Sequence, residues 1–73
     1  MNVKFSRHAK RRMKLYGISE DIVKNLLEKE DEENRHIIIK DVPEFIYPIK
    51  IVFENKMNHI LVITVYPLKR GYR

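Results

Sequence analysis

Two residues of this 73-residue chain stand at a spacing suited to chemistry: His8 and Arg12, four positions apart in the stretch FSRHAKRRMKLYGI from Phe5 to Ile18. An imidazole takes up and releases a proton near neutral pH, and a guanidinium grips an anion through a fixed fork of donors. On a helix, side chains at i and i+4 are neighbours on one face. At ~100° per residue, Ala9, Met13 and Tyr16 form an apolar stripe and Arg7, Lys10, Arg11 and Lys14 fall opposite it. His8 and Arg12 lie on the border, where a side chain can be held by the core and still reach a ligand. The same spacing also fits a histidine that closes the edge of the core beside a merely solvated basic face.

The elements that must position this pair follow from caps and periodicity. Ser6 is a good N-cap and Gly17 a good left-handed terminator, which predicts a first helix from Ser6 to Tyr16. Ser19, followed by Glu20 and Asp21, opens a second helix reaching Glu30, with Ile18 stapled onto Val23 and a buried stripe of Ile18, Ile22, Val23, Leu26 and Leu27. The acidic run Glu30 to Asn34 ends it and turns the chain. Three stretches rich in β-branched and aromatic residues follow, RHIIIK, IYPIKIVFE and HILVITVY, and read as an antiparallel meander. Asn2 to Phe5 adds a short edge strand. Strict alternation puts Ile49, Ile51 and Phe53 on one face of the middle strand. In the last strand it sets Leu61, Ile63 and Val65 against Val62, Thr64 and Tyr66. The expected architecture is α+β: two N-terminal helices packed on a three- to four-stranded antiparallel sheet, in one domain spanning residues 1–73.

Composition narrows the chemistry. With no cysteine, the chain has no disulfide, thiolate nucleophile or Cys-based metal site, and His8, His36 and His59 lack a paired ligand spacing; neither a metal nor a cofactor is expected. No apolar run approaches the ~20 residues of a membrane span, and the N-terminus lacks a secretory pattern, so a cytoplasmic location and no membrane partner are expected. Scarce glycine, absent glutamine and tryptophan, and abundant Lys, Glu and Ile match proteins that work at high temperature. Fifteen Lys and Arg face ten Asp and Glu. Outside the run 28–33, fourteen bases face five acids, with cations crowded before Leu15 and again at Lys69, Arg70 and Arg73. Such clusters attract polyanions, or an acidic protein.

The pattern H-A-x-x-R-M-x-x-x-G-I, here His8, Ala9, Arg12, Met13, Gly17 and Ile18, precedes a second helix, three strands and a final Thr64-Val65-Tyr66. It resembles a group of small prokaryotic domains of unknown function that looks related to the RelE/ParE-type toxins of toxin–antitoxin pairs. Where that group often has Arg before Gly-Ile, this chain has Tyr16. The superfamily includes messenger-RNA endonucleases, gyrase poisons and members without demonstrated activity. The resemblance implies a RelE/ParE-like fold and, if it extends to activity, metal-independent RNA cleavage by attack of the 2′-hydroxyl on the adjacent phosphate.

In that reaction His8 would be the acid or base, Arg12, Lys69 and Arg70 would clamp the phosphate, and Tyr66 would stack on a base or donate its hydroxyl. Arg7, Lys10, Arg11, Lys14 and Arg73 would dock the RNA, free or on the ribosome. Two other readings use the same residues. One is a basic module that holds nucleic acid or an acidic antitoxin-like partner without cutting. The other is a subunit whose exposed sheet face forms a homodimer, with no enzymatic role.

Overall fold

The computed structural model describes residues 2–29 and 36–69. The elements run β1 (Val3–Phe5), α1 (Arg7–Tyr16), α2 (Glu20–Glu28), β2 (Ile37–Lys40), β3 (Ile49–Asn55) and β4 (Ile60–Pro67). The helices pack on one face of a four-stranded sheet ordered β1-β4-β3-β2. The three C-terminal strands are antiparallel neighbours, as expected, whereas β1 pairs parallel to β4. The sheet is therefore mixed, and its first and last strands lie side by side.

Both helices end where their caps dictate. Ser6 Oγ accepts from the Ala9 amide at 3.0 Å, and Ser19 Oγ accepts from the Ile22 amide at 3.2 Å. At the other end of α1, Gly17 adopts φ 70°, its amide donating to the Lys14 carbonyl while the Ile18 amide donates to Met13. This pair of hydrogen bonds is a Schellman ending, and Met13 and Ile18 are both buried. The second helix stops at Glu28, capped by Lys29, short of the expected Glu30; Glu30 and the rest of the acidic run lie outside the described residues.

The core joins Ala9, Met13, Ile18, Val23, Leu26 and Leu27 of the helical segment to Ile38, Ile49, Ile51, Phe53, Val62 and Val65 of the sheet, with Val42 from the β2–β3 connection. The α2 stripe is as expected, except that Ile22 is only half-buried. Two expectations need correction. Tyr16 does not complete the buried α1 stripe: it is the last residue of the helix, directly before the Gly17 cap, and is 38% exposed.

The faces of β4 also depart from strict alternation. Val52 pairs with Thr64 but Phe53 pairs with Val62, leaving Ile63 without an opposite residue. One extra residue in a strand is a β-bulge and exchanges the faces on either side of it. Val62 and Val65, three apart, thus both point into the core at 0% exposure, while Ile63 is half-exposed and Leu61 turns to the outer face opposite Glu54.

Ser6 anchors that bulge. Its amide donates to the Val62 carbonyl at 2.9 Å and its hydroxyl donates to the Ile63 carbonyl at 2.8 Å. One residue therefore caps α1 and takes up two consecutive carbonyls of β4, fixing where the helix starts along the strand. From there α1 packs chiefly against β4.

Candidate functional site

The basic face of α1 is as expected: Arg7, Lys10, Arg11 and Lys14 are all exposed. His8 is exposed too, and Arg12 is half-buried, which places the pair on the border of the packed face rather than in the core. His8, Arg11, Arg12, Lys14 and Leu15 line one shallow hollow. Leu15 is 68% exposed and gives this otherwise cationic surface an apolar floor. Among the described residues no carboxylate forms an ion pair with an α1 cation.

A second hollow lies at the C-terminal end of α1, lined by Tyr16, Tyr66, Pro67, Leu68 and Lys69. Arg12 joins the two hollows: its Nη1 donates to the Tyr16 hydroxyl at 3.3 Å, one helical turn away. Arg12, Tyr66 and Lys69, taken from the two ends of the sequence, are thereby brought to one stretch of surface. The cause is topological, since β1 beside β4 returns the C-terminal strand to the helix that opens the chain. The structure links His8 to this stretch through Arg12 and the first hollow. Arg70 and Arg73 lie outside the described residues.

Two further residues enter the site that sequence reading did not single out. Tyr16 was expected to pack; its position directly before the terminating glycine is the signal that its ring ends in solvent. Lys50 stands opposite Tyr66 across the β3–β4 ladder, with its ammonium 5.7 Å from the ring centroid. That distance permits a cation–π contact, which holds one face of the Tyr66 ring. The sequence pattern put Lys50 on the outer face, but only the pairing register makes it the neighbour of Tyr66.

The chemistry available is that of protons and anions. No group of three or more His, Asp or Glu side chains able to hold a metal occurs among the described residues. There are no buried polar or charged residues and no unsatisfied buried polar atoms there. The surface can bind a polyanion along α1, place a planar ring against Tyr16 or Tyr66, and move a proton at His8. No helix among the described residues is long and apolar enough to cross a membrane.

Comparison with curated proteins and with solved structures finds no match. Comparison with protein families matches residues 5–67, from the last residue of β1 to the end of β4 and thus including both hollows except for Leu68 and Lys69. The chain belongs to the family described as Domain of unknown function (DUF4258).

Proposed function

We propose that this chain binds single-stranded RNA across the α1–β4 junction and cleaves it without a metal, as a relative of the RelE/ParE-type toxins that its His8-to-Ile18 pattern resembles. The 2′-oxygen bonds to the adjacent phosphorus and the bond to the 5′-oxygen breaks, leaving a 2′,3′-cyclic phosphate and a 5′-hydroxyl. The His8 imidazole takes the 2′ proton, and the Tyr66 hydroxyl gives a proton to the departing oxygen and regains one from water. Arg12 and Lys69 stabilise the charge that builds on the phosphate, with Tyr16 orienting Arg12. Arg7, Lys10, Arg11 and Lys14 hold the flanking backbone, while the parts of Arg70 and Arg73 rest on sequence alone.

The observation that carries this reading is the Arg12–Tyr16 hydrogen bond, which makes one continuous surface of the hollow containing His8 and the hollow containing Tyr66 and Lys69. A second reading, binding without cleavage, is favoured by a different observation. Among the described residues nothing bonds the His8 ring to set which nitrogen carries its proton, whereas a catalytic imidazole is usually oriented by such a bond.

The test is incubation of labelled single-stranded RNA with the protein in excess chelator, with products resolved for cyclic phosphate ends, beside His8→Ala. Cleavage by the native chain and its loss in the variant, with RNA binding retained by both, is the expected result. Equal cleavage by both chains overturns the role of His8. Binding without cleavage by either leaves the binding module, and no binding by either removes RNA and leaves an acidic protein as the ligand.

A further inference from the structure

The two hollows suit different parts of a nucleotide. His8, Arg11, Arg12 and Lys14 line the first, with Leu15 as its one aliphatic side chain. Those groups suit a phosphate and a ribose hydroxyl. In the second, Tyr16, Tyr66, Pro67 and Leu68 meet a single cation, Lys69. Flat apolar walls suit a nucleobase, because every base has a π-face that stacks on an aromatic ring.

Tyr16 is held at both ends. Its backbone enters the Gly17 cap, where a φ of 70° ends α1, and its hydroxyl accepts from Arg12 Nη1 at 3.3 Å. At 38% exposure the ring still has surface to give a ligand. A side chain fixed beforehand loses less freedom when that ligand arrives. The far wall is fixed as well, since the Leu68 amide donates to the Pro48 carbonyl at 2.8 Å and continues the β3–β4 pairing past the ends of both strands. Lys50 stands 5.7 Å from the Tyr66 centroid without lining the hollow, so its ammonium leaves that space open.

The order of these groups sets the direction of a bound strand. His8, Arg12 and Tyr16 follow one another at intervals of four residues, ~6 Å of helix axis each. In the reaction proposed above, the attacking 2′-oxygen belongs to the nucleotide on the 5′ side of the cut and the departing 5′-oxygen to the nucleotide on its 3′ side. His8 serves the first and Tyr66 the second. We infer that the strand runs 5′ to 3′ from the first hollow to the second, and that the second hollow takes the base of the nucleotide immediately 3′ of the cut, stacked on Tyr16. The assignment rests on the cleavage reading. It makes Tyr16 a specificity-determining residue as well as the one that orients Arg12. Stacking rewards area, so a purine is favoured over a pyrimidine at that position, whereas the base on the 5′ side, beside Leu15 and the cations, is read weakly.

A DNA oligonucleotide carrying a single ribonucleotide can be cut by 2′-attack at one place only, which fixes the register. With the full chain in excess chelator, an abasic residue immediately 3′ of the ribonucleotide should slow cleavage ~10-fold, and a pyrimidine there should slow it less. An abasic ribonucleotide should be cut nearly as fast as the intact one. Tyr16→Leu should erase the 3′ penalty, while Tyr16→Phe should keep it and cut more slowly because Arg12 loses its acceptor. Cleavage indifferent to the abasic 3′ nucleotide would overturn the base subsite and leave the reaction standing. A penalty confined to the 5′ side would overturn the strand direction, and one undiminished in Tyr16→Leu would overturn the role of Tyr16. Binding of every oligonucleotide with cleavage of none would overturn the cleavage reading itself, and this assignment with it.

Discussion

The α1–β4 side of the molecule and the β2 side are built from the same core and turn opposite characters to solvent. Along α1, cations stand in series without acidic partners among the described residues, and two tyrosines and a histidine lie between them. Along β2 the exposed side chains are isoleucines and the nearby loop carries Asp41 and Glu44. The parallel pairing of β1 with β4 sets the first and last strands side by side, with α1 packed against β4. The contrast teaches that a domain this small can keep a polar site and an apolar edge apart with no polar side chain buried among the described residues. The site needs only a helix face, one strand end and a means of fixing one against the other.

The largest effect expected belongs to the core that both sides share. Leu26→Ala should cost ~2 to 5 kcal/mol in urea denaturation and loosen α1 and β2 together. Ile63→Ala, at the half-exposed bulge, should cost well under half as much. Equal losses would show that the bulge does not set the faces of β4.

Next is the site itself. His8→Ala should lower RNA cleavage by ~10²-fold or more with no change in melting temperature, since the ring is exposed and bonds to nothing among the described residues. A variant that melts much lower would return His8 to the structural role that its spacing also allows.

Ser6→Ala separates the two sides in stability. Loss of an N-cap costs ~1 kcal/mol, and the Ile63 carbonyl loses its donor as well. Faster amide exchange in α1 than in β2 is the expected signature, and uniform acceleration would contradict the anchoring role. Smallest in energy is Lys10→Ala with Arg11→Ala. At ~0.7 per contact on a single strand, the pair should reduce the salt slope of RNA binding by roughly 1.4, whereas an unchanged slope would move the footprint to the C-terminal segment.

Much of this arrangement was legible in the sequence. Ser6, Gly17 and Ser19 mark helix ends through local chemistry that tertiary structure does not override, and all three caps form as their residue types require. The faces of β3 followed from alternation because no irregularity interrupts its inward residues. The faces of β4 did not, since a bulge is set by what a strand pairs with on both sides, here β3 and Ser6, and nothing within ILVITVY marks Ile63 as the extra residue. The basic face of α1 and the border position of His8 and Arg12 were readable from periodicity. The parts played by Tyr16 and Lys50 were not, because each depends on a neighbour from another element or on where a helix stops.

The most direct test of the α1–β4 junction as the nucleic-acid surface is an NMR titration of the labelled protein with a short single-stranded RNA carrying 2′-deoxy substitutions that block cleavage. The amide and side-chain resonances of His8, Arg12, Tyr16, Tyr66 and Lys69 should move together with one dissociation constant, while Ile37 to Lys40 stay still. Shifts centred on β2, or no shifts at low salt, would contradict the assignment.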